Sequence, residues 1–360
     1  MRRYIDLKVK FLSQYSDIIH NVIIPGDEDK VEKVLSTEFI YLKSPEVFFW
    51  KPYRVLINKN KILQILIQRR YDLVEVGSPY ILPKILNSYR YDLGYKTVGF
   101  FHSNLEFAIK NFFNNKIKSE KLIQFLRKYN YNTYSEFDAV ISPSYMMKRY
   151  LEDIGIKNVE VVRIGIDTSI FRPMDKISVR YKYGLDTDKI ILIYVGRFSR
   201  DKGVHILVDI FNTLEYLYPN KYFLVLVGGG PFEKKLKNLI KSNNYKIFPF
   251  IEDLNVLVEL YNTGDIFINC SKSDTYGISV LEAQSCGLPV FAFSGTSFEE
   301  IVFYRDFLGE NKYELIKKIT MFKSATIDIN KLHNFVCENF SLDGGFKKLL
   351  NIYREIVKKN

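Results

Sequence analysis

The feature that most constrains this chain is a rhythm that sets in near residue 190. Short runs of β-branched, aliphatic and aromatic residues, of which IILIYV (190–195) and YFLVLV (222–227) are the clearest, alternate with longer amphipathic stretches. Apolar runs of that length without polar alternation suit strands buried on both faces. Strands separated by helical stretches close into a parallel sheet with helices on either side. We place strands at 190–195, 222–227, 246–250, 265–269 and 289–293, with Gly203, Pro231, Asp253 and Gly277 at or near the starts of the helices between them. Right-handed crossovers then give a doubly wound domain with its ligand site at the C-terminal ends of the strands.

The first half repeats the rhythm less cleanly, with strands expected at 21–24, 39–42, 73–76, 97–101, 139–142 and 160–163. It reads as a second α/β domain rather than a repeat. The boundary falls in 172–188, a stretch with Pro173, Gly184 and several charges. The expected division is therefore 1–172, 173–342, and a terminal segment 343–360 whose apolar spacing over 346–357 is helical. One element is out of order. A doubly wound domain starts with a central strand and a glycine turn, whereas residues 4–18 here have helical apolar spacing.

Composition narrows the class. The 360 residues are 47% hydrophobic and 26% charged, which excludes disordered, collagen-like and coiled-coil chains. No apolar run approaches the roughly 18 residues of a membrane span, and Arg2, Arg3, Asp6, Lys8 and Lys10 interrupt any signal-peptide core, so a cytoplasmic protein is expected. Cys270, Cys286 and Cys337 are odd in number and widely spaced, which argues against a disulfide framework or a zinc site. The net charge of 52 − 41 = +11 is compatible with nucleic acid, anionic lipid or phosphorylated substrates and does not choose among them. Lysine and arginine are dispersed and no recognition motif is present, so no nucleic-acid partner is expected.

Three loops at strand ends carry candidate chemistry. In SDTYGISVLEAQSCGLPV (273–290), Gly277 permits close backbone approach, and the amides of Tyr276, Gly277, Ile278, Ser279 and Val280 open a helix whose N-terminus favours an anion. Asp274 and Glu282 could accept hydrogen bonds from hydroxyls on either side of it; alone, the segment is better explained as an ordinary helix with an exposed acidic first turn. In GRFSRDKG (196–203), Arg197 and Lys202 supply fixed positive charge for a diphosphate, or else form a solvated basic turn. VGGGP (227–231) places Gly229 in a third such turn, but lacks dinucleotide or Walker spacing. Of four histidines only His102, after the strand at 97–101 and before a helix expected near Leu105, is placed to face a cleft, although a lone histidine without a partner in view is more often structural. Asp186-Thr187-Asp188 has a metal-binding DxD form but precedes a strand, the wrong edge for the site, and no GxSxG nucleophile elbow is present.

Taken in order, FDAVISPS (137–144), VRIGIDTSIFRP (162–173), YVGRFSRDKGV (194–204), LVGGGP (226–231) and DTYGISVLEAQSCGLPV (274–290) resemble the glycosyltransferases of family 4. The resemblance implies two Rossmann-like doubly wound domains facing a cleft, the GT-B fold, with 1–172 binding acceptor, 173–342 binding a nucleotide-sugar, and 343–360 packing back on the first domain. It implies a retaining hexosyl transfer without metal or cofactor, from a UDP- or GDP-sugar to a glycan or glycolipid hydroxyl in cell-envelope synthesis. Arg197 and Lys202 would neutralise the diphosphate and Glu282 would hold the ribose. Asp274, with the amides around Gly277, would hold the sugar, and His102 in GFFHSNL would touch sugar and acceptor.

The chain departs from the family pattern in three places. Asp274 stands for the usual Glu. The connection after 289–293 is shorter and lacks a second glycine loop. The first strand and its glycine turn, which in the family line the acceptor cleft, are missing, a deficit of roughly 15 residues. That deficit sustains an alternative, a non-catalytic nucleotide-sugar-binding subunit that has lost the acceptor half. The basic balance, with Lys and Arg near Tyr and Phe at 51–54 and 110–131, is compatible with a peripheral contact to an anionic membrane.

Overall fold

The computed structural model describes residues 2–46, 54–77, 80–102, 104, 106, 107, 109, 120–185 and 188–358. Leu105, residues 51–53 and 110–119, and Asp186-Thr187 lie outside the described residues. The first half runs α1 (Arg2–Leu12), β1 (Asn21–Gly26), β2 (Lys30–Val34), β3 (Thr37–Lys43), α2 (Lys59–Arg69), β4 (Leu73–Val76) and α3 (Leu82–Leu93), then β5 (Lys96–Phe100), α4 (Glu120–Tyr134), β6 (Ala139–Ser142), α5 (Tyr145–Asp153) and β7 (Val159–Val161). The second half begins with α6 (Lys176–Lys182), β8 (Ile190–Val195), α7 (Val204–Leu217), β9 (Tyr222–Val227), α8 (Glu233–Leu239), β10 (Tyr245–Phe248) and α9 (Leu254–Asn262). It continues with β11 (Ile266–Asn269), α10 (Ile278–Ser285), β12 (Val290–Phe293), β13 (Leu308–Gly309), α11 (Lys312–Met321), α12 (Ile329–Asn339) and α13 (Leu342–Lys358).

The second half is a six-stranded parallel sheet in the order β10-β9-β8-β11-β12-β13. Both faces are buried, which explains the continuous apolar runs. Ile191, Ile193, Val225 and Phe267 point into a core with α9 and α10, while Leu192, Tyr194, Leu224 and Ile268 point into one with α7 and α11. The strand order reverses between β8 and β11, so the loops following these two strands flank the crevice of a doubly wound sheet. Strand β10 ends at Phe248 rather than 250, because Pro249 has no N–H to continue the ladder.

In the first half β4-β5-β6-β7 form a four-stranded parallel sheet, and β1, β3 and β2 form a separate one. Its antiparallel hairpin strand β2 was not expected, since KVEKV is exposed at every residue and makes no core pattern. One face of the four-stranded sheet packs on α2, α3 and α5. The other is covered by the first and last helices of the chain, through Phe11, Phe346, Leu349 and Leu350.

A buried polar cluster pins those two helices. Lys8 of α1 lies 3.0 Å from Glu75 of β4 and donates to the Tyr353 hydroxyl of α13 at 2.8 Å, and Tyr4 and Tyr353 also bond Glu75. Burial beside the Glu75 carboxylate keeps both phenols protonated. The chain crosses between halves twice, side by side: Ile166 N–H donates to Phe340 O at 3.0 Å and Leu342 N–H to Ile166 O at 3.1 Å. A Cβ at Gly165 would sit 2.0 Å from the Phe340 oxygen, so only glycine admits this approach.

Removing one partner of a buried ion pair strands the other charge, so Glu75→Ala should cost about 3 kcal/mol in urea denaturation. Lys8→Met with Glu75→Leu should recover most of that loss. A cost below about 1 kcal/mol for the single change would show that the cluster does not hold the helices.

Candidate active site

Three of the predicted loops meet at the C-terminal edge of the six-stranded sheet. After β8, Gly196 and Arg197 lead to a 3₁₀ turn, Arg200–Lys202, and Gly203 at φ +68° starts α7. A Cβ on Gly203 would lie 2.1 Å from Cys270 O, so this turn is seated directly on the chain leaving β11. The glycine loop after β9 stacks on the first: Phe198 N–H donates to Gly229 O at 2.9 Å, and Cβ atoms at Gly228 or Gly230 would strike the Gly196 or Phe198 carbonyls. Gly229 itself has open space around its Cα. The third loop is fixed by Ser273 Oγ donating to Asp201 O at 2.9 Å and by Ser297 Oγ donating to Asp274 O at 2.7 Å.

These contacts bring Lys202 and Asp274 into an ion pair that joins the first and third loops, both side chains being partly exposed. Arg197 is not part of it. Its guanidinium is half exposed and pairs with Asp201 at 3.1 Å. Gly277, at φ +103° with the Phe298 ring beneath it, caps α10. The N–H groups of Ile278 and Ser279 fall in the first turn, where no intrahelical acceptor exists. Val280, expected to offer its amide as well, donates instead to Gly277 O.

Glu282 lies deeper than the sequence suggested. It is 2% exposed, and the Tyr261 hydroxyl of α9 donates to its carboxylate at 2.7 Å. Helix α10 is buried from Val280 to Ser285, and its other polar groups are bonded too: Gln284 Nε2 donates to Ile301 O at 2.8 Å and Oε1 accepts from Phe303 N–H at 2.7 Å. Tyr276 is buried, with its hydroxyl lacking a partner among the described residues.

The first half reaches this edge at two points. The carbonyl of His102, just after β5, accepts from Thr275 Oγ1 at 2.9 Å, and Ser144 Oγ, before α5, donates to Thr275 O at 2.8 Å. His102 therefore stands beside the loop of Asp274. Burial lowers its pKa to about 4, and Nδ1 lies 3.3 Å from Phe100 O, so the ring is neutral with Nδ1–H donating and Nε2 carrying the lone pair. Tyr261, Thr275 and Ser144 had no motif to announce them. Their roles depend on distances across the fold, although Ser144 and Thr275 sit inside the quoted stretches. Among the described residues, no three His, Cys, Asp or Glu side chains converge as a metal site.

Two α/β halves with site groups converging on the edge between them form a GT-B architecture. A family profile described as "Glycosyl transferases group 1" matches residues 175–326, and one described as "Glycosyltransferase Family 4" matches 18–170. The chain belongs to glycosyltransferase family 4 and is a glycosyltransferase.

An alpha-monoglucosyldiacylglycerol synthase of Streptococcus pneumoniae is 24% identical over 95% of this chain and 80% of its own length. Other curated relatives, among them the enzyme of that name from Acholeplasma laidlawii at 31% identity, match 35–48% of this chain; the chain spans only 32–45% of their length. Among solved structures, sucrose-phosphate synthase from Thermosynechococcus elongatus superposes with TM-score 0.79 at 16% identity, covering 99% of this chain and 93% of that one. Anabaena HepE with UDP and glucose gives 0.73 at 16% identity, covering 96% and 94%. At such identities these likenesses concern the fold.

Because the folded pKa of His102 is depressed from 6.5 to about 4, the unfolded chain takes up a proton that the native ring refuses. Its stabilising effect is full above pH 6.5 and is lost as the pH falls toward 4. In His102→Gln the slope of unfolding free energy over that window should shrink by about 1.4 kcal/mol per pH unit. An unchanged slope in urea titrations would show that His102 is not held neutral.

Proposed function

We propose that the enzyme transfers a hexose, with retention and without a metal ion, from a UDP- or GDP-sugar to a hydroxyl of a glycolipid or cell-envelope glycan. The observation that carries this reading is the contact between Lys202 and Asp274. It sets a fixed cation and a hydroxyl-accepting carboxylate side by side at the mouth of a helix N-terminus, as a sugar joined to a diphosphate requires. In this assignment Arg197 and Lys202 bind the diphosphate together with the Ile278 and Ser279 amides. Gly229 leaves room for the donor, and Glu282, oriented by Tyr261, takes the ribose. The acceptor oxygen forms its bond to the anomeric carbon on the face from which the diphosphate departs. The C–O electron pair leaves with the diphosphate, and the acceptor proton passes to a phosphate oxygen. Stabilising the leaving charge and fixing the reactants supply the rate. Neutral His102 acts as a hydrogen-bonding wall to sugar and acceptor rather than as a cation.

A lipid acceptor is favoured by the S. pneumoniae relative's name and by the first half's surface. No described helix is long and apolar enough to cross a membrane, yet the neighbouring helices α2, α3 and α4 expose Ile67, Tyr91 and Phe125 amid lysines and arginines. We assign that face to an anionic bilayer surface.

In a thermal-shift series with UDP, GDP and ADP, one nucleotide at about 100 times its dissociation constant should add about 2.7 kcal/mol of stability. Lys202→Ala should abolish the shift, and chelators should leave transfer unchanged. No shift with any of the three would remove the donor-site assignment. Sedimentation with vesicles containing anionic lipid should retain the protein at low salt and release it at high salt; indifference to lipid charge would remove the membrane assignment.

A further inference from the structure

Outside the donor loops, Glu300 joins the two halves through its side chain. It ends the 3₁₀ turn Ser297–Glu300 that follows β12. Its Oε1 accepts from Met146 N–H at 2.6 Å, its Oε2 from Tyr145 N–H at 2.8 Å, and the Arg163 guanidinium lies 3.4 Å away. Tyr145 and Met146 are the first residues of α5, so a carboxylate from the second half caps a helix of the first, with charge-assisted bonds aligned to the helix dipole. Ser144 closes the same helix end, its Oγ accepting from Met147 N–H at 3.3 Å while donating to Thr275 O.

The other end of the turn holds the donor loop. Ser297 Oγ donates to Asp274 O, and the Phe298 ring lies under Gly277, where a Cβ would come within 2.6 Å of it. One rigid turn thus touches the donor-sugar loop and the first half at once. Beside Glu300 is a cavity of about 560 Å³ lined in part by Arg163, Phe303, Arg305 and Phe340. Glu300 itself lines that cavity.

We infer that Glu300 is a positioning residue for sugar transfer: its carboxylate latches the second half onto α5 when the cleft closes, and through Ser297 and Phe298 it fixes the Asp274–Gly277 loop against His102. This rests on the transfer reading above.

Spin labels at Tyr91→Cys and Tyr216→Cys, both strongly exposed and one in each half, in a Cys337→Ser background, report the separation of the halves by pulsed EPR whether or not transfer is observed. Glu300→Gln keeps the shape but one acceptor oxygen becomes a donor, so the distance distribution should broaden to longer values. The transfer rate should fall about tenfold, the loss of one charge-assisted bond, while nucleotide affinity by calorimetry stays within twofold, since the donor loops lie in the second half. Should that variant not fold, Ser144→Ala tests the same junction with the same expected outcomes. Glu338→Gln, an exposed carboxylate on α12 away from the turn, should leave the distances and the rate as in the wild type. An unchanged distance distribution, an unchanged transfer rate, or nucleotide affinity falling in step with the rate would each overturn the latch. Absence of any transfer by the wild type would count against the functional reading alone, because the EPR distances still decide whether the carboxylate holds the halves together.

Discussion

The paired crossing of the chain at Ile166 and Phe340–Leu342 is the constraint on which the rest of this structure depends. Each half has its own sheet and its own cores, and neither fixes where the other lies. Backbone hydrogen bonds between the two passes, made possible by the missing side chain at Gly165, tie departure and return to one point. The last helix then continues onto the first half, where Lys8, Glu75 and Tyr353 hold it. Across the cleft the halves meet through side-chain bonds of Thr275, Ser144 and Glu300.

The second half was legible in the sequence because its strands are buried on both faces, and burial writes itself as an uninterrupted apolar run. The positions of β8, β9, β11 and β12 follow directly from that. The first half was harder for a physical reason: β2 buries nothing, and α1 ends at Leu12 although its apolar spacing runs on to residue 18. In the site, the loops and their glycines could be read from spacing, since together they place three glycine turns at one edge of one sheet. The partners could not. That Lys202 meets Asp274, that Tyr261 reaches Glu282 and that Glu300 caps α5 are consequences of tertiary distance, and residues 72, 21 and 155 positions apart carry no shared pattern.

The depth of Glu282 illustrates how chemistry and packing share residues. A carboxylate at 2% exposure is tolerable when it is hydrogen-bonded, as Glu282 is by the Tyr261 hydroxyl. The same buried helix turns Gln284 to the backbone of residues 301 and 303. Helix α10 thus serves as a wall of the proposed donor pocket and as the central post of the core, and that double use keeps the pocket geometry stiff.

The ion pair between Lys202 and Asp274 also bears on what happens after reaction. On the proposed assignment, an intact donor gives each partner a replacement, phosphate oxygens for the ammonium and sugar hydroxyls for the carboxylate. A nucleoside diphosphate stripped of its sugar offers only the first, so Asp274 competes with it for Lys202. On that assignment the pair favours release of the spent nucleotide over its retention.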